Sequence, residues 1–340
     1  MFKKDASMNA ASTLRKTNLS GRIVLARPSK TGDAAFKLLT WLMAMMVFVL
    51  VVIIGWELFK GAGPSLKKFG FGFLVHSDWD PVNNDFGALP FIFGTFVSSL
   101  VGLAIALPLS LATAVYLTEL APWWVRHAAI SLIEMLAAIP SVILGLWGIF
   151  VMVPWLRGPG GGMPGELYHP FPLLKKFFGF LPLFKGPIYG VSILSAAIII
   201  AIMIVPIITS ISREVFRAVP ETQREAAFAL GATRWEVTRL AVLKSSRRGI
   251  FGAAMLGLGR ALGETMAVTM VIGNRPEISA SLLAPGYTLA SAIANEFAEA
   301  TGAMHLSALF ELGLVLLLVT FVTNITARLL IGAVGGPKRG

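Results

Sequence analysis

Residues Phe86–Thr118 run for 33 positions without a charged side chain, and no soluble fold of this size hides so long an uncharged stretch. Five further stretches are similar. Leu38–Trp56 and Gly186–Ser212 hold no charge. His127–Leu156 holds only Glu134, and Ala300–Ala327 only Glu311. Gly249–Asn274 holds Arg260 and Glu264. About 20 helical residues cross an apolar core of about 30 Å, so the chain is expected to be an all-α integral membrane protein with six transmembrane helices. Phe86–Thr118 is long enough for one span plus a re-entrant or kinked part near Pro108. A transmembrane β-barrel needs segments of alternating polarity, and these runs are continuously apolar. Composition agrees. Of 340 residues 56% are hydrophobic and 14% charged, against about 25% charged in soluble domains; the mean hydropathy is +0.76.

The net charge of +11 would point to nucleic acid in a soluble protein. Here the basic residues flank apolar runs and set orientation instead, so no nucleic-acid partner is expected and lipid is the surrounding solvent. Residues 1–37 carry Lys3, Lys4, Arg15, Lys16, Arg22, Arg27, Lys30 and Lys37 against Asp5 and Asp33; they read as a disordered or surface-associated tail. Segment 212–248 has as many basic residues, among them Arg213, Arg217, Arg224 and Arg234. With six spans, both termini, the loop near 119–126 and segment 212–248 share one side, which should be the cytoplasm. The first apolar run is too long for a signal peptide's apolar core and lacks a small-residue cleavage site. The expected organisation is a basic tail (1–37), a first helix with an outer loop (38–90), a transmembrane domain (91–331) holding a cytoplasmic segment at 220–243, and a short tail (332–340).

The absence of cysteine excludes disulfides and thiolate metal sites. His76, His127, His169 and His305 show no ligand spacing, so no metal site is expected. No GxxxxGK[ST] loop is present, so the chain should not hold ATP itself. Gly257-Leu258-Gly259-Arg260-Ala261-Leu262 nearly matches a dinucleotide fingerprint, but Leu262 replaces its third glycine and no strand precedes it. Asn324-Ile325-Thr326 matches a glycosylation acceptor inside a span, where it has no meaning. With neither a nucleophile–base pair nor metal ligands in the spans, an intramembrane enzyme is not supported.

Two stretches carry chemistry. In the cytoplasmic segment, Pro220 and Glu221 favour a helix start and Gly231 a stop. Thr233 and Glu236 have capping-box spacing for a second helix. The expectation is two short exposed helices joined at Gly231. A solvated spacer is the plain alternative; a DNA-binding helix-turn-helix is excluded by the membrane tether at both ends. In the fifth span, Arg260 and Glu264 are four apart and share a helical face. Each costs about 2.5–3.5 kcal/mol at a helix centre, so that face should meet protein or water. A mutual salt bridge fixing helix register is the plain reading, and it is compatible with a functional one. Gly259 and Gly263 have the spacing of close helix packing. Glu134 lies near the start of the third span, where pairing with Arg126 or a partner chain is expected; Glu311, near the outer side of the sixth, is read in the same structural way. Trp123, Trp124, Trp147 and Trp155 suit interfacial anchors.

Glu225-Ala226-Ala227, followed after three residues by Gly231, resembles the EAA loop of bacterial ABC-importer permeases, although Leu243-Lys244 stands where that pattern often has leucine-proline. Gly259-Arg260-Ala261-Leu262-Gly263-Glu264-Thr265-Met266-Ala267-Val268-Thr269, with Val271-Ile272-Gly273-Asn274 after it, resembles phosphate-importer permeases of the PstC type. So do Asn83 with Phe86–Thr95, Leu107-Pro108-Leu109-Ser110 with Thr118-Glu119, and Glu134 with Ala138–Gly145. The resemblance covers most of residues 75–330, but neither the tail nor the glycine-rich loop 158–165. It implies a type I ABC-importer permease fold in the bacterial inner membrane. It also implies a PstA-like sister subunit, two ATPase subunits holding ATP and Mg, a periplasmic phosphate-binding protein, and phosphate as cargo. Glu225, Ala226, Ala227, Phe228, Leu230 and Gly231 would then dock on the ATPase, and Arg260 and Glu264 would act in phosphate passage. A permease for sulfate or molybdate, or a secondary transporter working without ATP, are the alternatives.

Overall fold

The computed structural model describes residues 30–159 and 169–333. The tail before Lys30, most of the glycine-rich loop and the C-terminal residues 334–340 lie outside the described residues. Helix α1, Lys30–Gly61, joins two compact units that divide after Ile54. The described part of the first unit is helix alone. Residues 32–54 are exposed at every position, and an apolar helix with no polar face suits lipid.

The second unit begins at Gly55. It continues with α2 (Gly63–Phe69) and a two-residue antiparallel hairpin, β1 (Trp79–Asp80) and β2 (Asp85–Phe86), pairing Trp79 with Phe86. Asp80 closes the hairpin turn by accepting from the backbone N–H groups of Val82 and Asn83. Then come α3 (Leu89–Val115), α4 (Trp123–Ala138), α5 (Ser141–Trp147), α6 (Val153–Arg157), α7 (Pro170–Phe178) and α8 (Ile193–Arg217). The helices of segment 220–243 are α9 (Glu221–Ala229) and α10 (Arg234–Val237). They are followed by α11 (Arg247–Leu262), α12 (Met266–Ile272), α13 (Leu289–Glu296) and α14 (Ala303–Ala333).

Helix α8 is the centre. It is apolar all round from Ile193 to Ile211 and buries Ile199, Ile200, Ile204 and Ile208 completely or nearly so, as suits a helix largely covered by neighbours. Helices α3 and α11 pack along it. Small residues let them approach: a methyl on Gly102 would meet Ile200, and one on Gly257 would meet Ile208. The close glycine contacts of α11 are thus Gly249, against Val215 of α8, and Gly257, not the Gly259/Gly263 pair that spacing suggested. Gly263 has no neighbour within 4 Å, and Gly259 only Asn324 at 3.9 Å. A second cluster, with Phe73, Phe86, Phe91, Tyr287 and Leu309, closes the hairpin end.

Among the described residues, four helices are long and apolar enough to cross a membrane: residues 32–61, 89–120, 193–217 and 303–332. Two bent helix pairs also pass by length and composition, and counting each pair as one span gives up to six. The third breaks by 93° between α4 and α5. Pro140 offers no N–H and forces Ile139 into extended backbone at φ −65°, ψ 126°. The fifth bends by 68° between α11 and α12. Near Pro108 no re-entrant part forms; α3 runs through it and ends in one wide turn to Leu120. The fourth span starts at Ile193, seven residues later than the apolar run, because Ser192 caps it by accepting from Ser195 N–H.

One position tests this packing. The ideal Cβ of a residue at Gly94 would lie 2.0 Å from the Tyr287 carbonyl oxygen, and backbone cannot slide aside as a side-chain tip can. Gly94→Ala is expected to cost about 1–3 kcal/mol and to lower the unfolding midpoint in detergent. Gly259→Ala, with open space around it, should not. Equal midpoints for the two variants would refute the close approach of α3 to the 281–288 loop.

Candidate functional site

Arg260 occupies the last turn of α11, and Glu264 sits in the break beyond it rather than further along one helix. The expectation that both lie on one continuous helical face is corrected in this respect. Their contact is nevertheless made, with Arg260 Nη1 3.1 Å from Glu264 Oε2. The other carboxylate oxygen, Oε1, accepts from Ala267 N–H at 3.4 Å, in the first turn of α12. One side chain therefore bridges the two halves of the broken span. Glu264 N–H still reaches Ala261 O, and the Thr265 hydroxyl donates to Gly263 O, so the break keeps part of its backbone hydrogen bonding.

The two side chains differ in access. Glu264 is 4% exposed, whereas the Arg260 side chain is 48% exposed. Gly263 and Met266 beside them are also exposed. The arginine thus stands in front of the carboxylate on an open face of α11. Behind it, α12 is held by α5: a methyl on Gly145 would collide with Met270.

At the other end of α12, Asn274 turns the chain with φ +50°, a left-handed conformation uncommon outside glycine. It borders a polar cavity of about 610 Å³ that sequence reasoning missed, lined also by Trp79, Tyr287, Glu296, Glu299 and His305. Glu296 Oε2 accepts from the Trp79 indole at 2.7 Å and lies 3.1 Å from His305 Nε2. Asn295 donates to the Tyr287 hydroxyl, while burial pushes that phenol well above its ordinary value. Asn274 Oδ1 is buried without a partner. The seven residues of α12, about 10 Å long, separate this cavity from the charged pair.

Segment 220–243 forms the two short helices expected, joined at Gly231. Pro220 is the N-cap of α9. At the end of α9, Gly231 N–H reaches Phe228 O and Ala232 N–H reaches Ala227 O, with Gly231 at φ +83°. This is the paired bonding of a left-handed helix stop. Thr233 and Glu236 form a reciprocal capping box. The Thr233 backbone N–H and hydroxyl hold the Glu236 carboxyl below its usual range. Helix α9 buries no residue in its own chain. Glu225 and Ala226 are exposed, Ala227 is half-buried, Phe228 is 49% exposed and Leu230 89%.

A contact invisible to motif reading ties this helix down. Arg224 Nη2 donates to Phe216 O at 2.8 Å, at the end of α8, and pairs with Glu119 Oε1 at 3.1 Å, in the turn ending α3. The two partners are more than a hundred residues apart in the chain, and only their opposite charge could have hinted at the pair. Glu134 is exposed on α4 and does not meet Arg126, whose guanidinium donates to the carbonyls of Thr118 and Ala121. Glu311 is 3% exposed, buried rather than set at a wet edge. The four tryptophans are exposed, as interfacial anchors are. Among the described residues, the grouping close enough for a shared ion is His76, Asp78 and Asp85. It is partly open to solvent, with His76 Nε2 3.2 Å from Asp85 Oδ2 and 3.6 Å from Asp78 Oδ2.

Residues 106–335 match a family described as binding-protein-dependent transport system inner membrane component. The phosphate transport system permease protein PstC of Mesorhizobium japonicum is 45% identical over 309 residues, covering 91% of this chain and 93% of its own. The protein of the same name from Pasteurella multocida is 46% identical, covering 88% and 91%. A solved inward-facing MetNI methionine ABC transporter is similar at 17% identity, covering 78% of this chain and 97% of its own, with a TM-score of 0.48.

Proposed function

Because this chain belongs to the binding-protein-dependent transport system inner membrane component family, and is a multi-pass inner-membrane permease, we propose that it forms half of an ATP-driven path importing inorganic phosphate. Relatives that carry the phosphate-permease name along nearly their whole length support the cargo. The observation that carries the mechanism is the Arg260–Glu264 pair across a broken span. Transport sites are commonly built where discontinuous helices meet.

In this reading the exposed guanidinium of Arg260 meets the anion first, since its planar fork matches phosphate oxygens. As the arginine turns to the anion, Glu264 is released and accepts a hydrogen bond from the protonated oxygen of hydrogen phosphate. Sulfate has no proton to offer at neutral pH and meets repulsion instead. The polar cavity at Asn274 forms the outer approach.

The chain does not hydrolyse ATP; that reaction, with ATP and Mg, belongs to two ATPase subunits. A PstA-like sister supplies the other half of the path, and a periplasmic phosphate-binding protein delivers the cargo. Glu225, Ala226, Ala227, Phe228, Leu230 and Gly231 form the coupling surface, facing the cytoplasm together with both termini. Movement of α9 passes through Arg224 to the ends of α3 and α8, which pack against α11.

Uptake of radiolabelled phosphate by the assembled importer, with sulfate as competitor, tests the assignment. Glu264→Gln should narrow the preference for phosphate over sulfate by about tenfold, the weight of one charged hydrogen bond. A transport-competent Glu264→Gln variant with undiminished selectivity would remove Glu264 from this role. Sulfate import by the unmodified protein equal to phosphate import would overturn the cargo.

A further inference from the structure

Asn324 is the one amide in α14, and the stretch Leu312–Val319 before it in that helix carries no polar side chain. It stands six residues, about 9 Å, beyond Leu318 at the middle of the helix. That is inside the ~15 Å hydrocarbon depth of one leaflet. Arg328, one turn on, can reach water along its stem; the short amide cannot. Asn324 is nevertheless exposed. Its Nδ2 donates to Thr320 O at 3.0 Å, and its Oδ1 faces α11, 3.9 Å from where a Cβ on Gly259 would lie. A Cβ on Gly252, seven residues earlier in α11, would lie 4.0 Å from Ile331, seven residues later in α14. The two helices are therefore antiparallel in one register, with Asn324 level with Gly259, beside Arg260. The seam between them is open there. Gly259 and Gly263 put no side chain into it, and the Arg260 side chain is 48% exposed. Exposed Phe321, Val322, Ile325 and Leu329 lie to one side of Asn324 around α14, and α11 lies to the other.

We propose that Asn324 is a further residue of the anion path, whose amide hydrogen-bonds phosphate once Arg260 has taken it. The inference rests on the assignment of Arg260 to that path. An amide is costly in hydrocarbon, so an exposed one at this depth belongs on a wet face. The wet face is the seam with α11, because Asn324 turns there and the apolar side chains of α14 turn away. Gly259 precedes Arg260 in the chain, so Asn324 lies one step from the guanidinium toward the start of α11, on the side of segment 220–243. The chemistry of an amide suits a second contact. Its N–H donates to an unprotonated phosphate oxygen, and its carbonyl accepts from a protonated one. It adds no charge, so it guides the anion without trapping it, as passage requires.

The chain has no cysteine, so Asn324→Cys gives this subunit a single thiol. In the assembled importer, in membrane vesicles with the cytoplasmic side outward, an impermeant anionic thiosulfonate should modify that thiol. Phosphate supplied with the binding protein and ATP should slow the modification, and the same concentration of sulfate should not. Asn324→Leu should cut phosphate uptake by about tenfold, the weight of one hydrogen bond to a charged group. Asn324→Gln, which keeps the amide, should restore most of it. A thiol that stays unmodified in the assembled importer, as it would against lipid or another subunit, would overturn the proposal. So would modification that phosphate does not slow, or uptake by Asn324→Leu at the unmodified rate. The thiol decides the matter even if Asn324→Leu does not insert. The two assignments fail separately. Unmodified uptake by Arg260→Gln would remove the arginine from the path, whereas abolished uptake there with an unreactive thiol in Asn324→Cys would remove Asn324 alone.

Discussion

Arg260→Gln in the assembled importer is expected to cut phosphate uptake by at least about a hundredfold with the complex still inserted. The expectation follows from the asymmetry of the pair. Glu264 is 4% exposed and its ion-pair partner is Arg260, at 3.1 Å. Removing the arginine strips the path of its anion-binding fork and leaves a buried carboxylate uncompensated, which costs about 3–5 kcal/mol. A cost of that size in the translocation step corresponds to roughly two to four powers of ten in rate. Arg260→Lys keeps the charge but not the planar fork, so it should fall between the two. The double variant Arg260→Gln with Glu264→Gln separates transport from folding. Replacing both partners removes the unpaired charge, so its unfolding midpoint should return close to that of the unmodified protein while uptake stays abolished. If the double variant regains both stability and phosphate uptake, the pair serves only helix register. Uptake by Arg260→Gln above half the unmodified rate would also end the transport role.

What the sequence reveals here depends on how local each cause is. The six apolar runs are legible because lipid selects on every residue of a span. The two-helix segment at 220–243 is legible because each cue acts within four or five residues: Pro220 at the N-cap, Gly231 at the left-handed stop, Thr233 with Glu236 in the capping box. The bends are not legible in the same way. Pro108 and Pro206 lie inside α3 and α8 without a break, while Pro140 turns the chain by 93°. The residue is the same and the surroundings differ. The α3–α8 contact holds the first two, and a bond from the Ser110 hydroxyl to Val205 O helps clamp it. Helix α4 has no buried residue to keep it in line with α5. Gly263 gives even less warning, since glycine is common in membrane helices, and so the position of Glu264 in a break was hidden. The Glu119–Arg224 tie and the cavity at Asn274 join distant stretches, and no pattern along the chain marks them.

Leu230→Asp should abolish both co-purification of the ATPase subunits and ATP-driven uptake, without lowering the stability of the permease chain. Leu230 is 89% exposed, and α9 buries none of its own residues. A nine-residue helix is too short to persist alone in water. What holds it is its proline start, its glycine stop and the Arg224 tie to Glu119 and Phe216 O. A helix so fixed, with Phe228 and Leu230 turned outward, is suited to a groove on another subunit. Burying a leucine contributes about 1.5–3 kcal/mol. An aspartate in its place forfeits that and adds a desolvated charge, so binding should weaken by more than a hundredfold. Arg224→Gln offers the complementary result. It leaves Phe228 and Leu230 in place, so the ATPase should still co-purify, but the link from α9 to α3 and α8 is loosened and uptake should fall with ATP hydrolysis retained. The pair of outcomes distinguishes docking from transmission. Were Leu230→Asp to keep its ATPase and import phosphate at the unmodified rate, α9 would be a solvated spacer, and the energy for transport would have to enter the permease elsewhere.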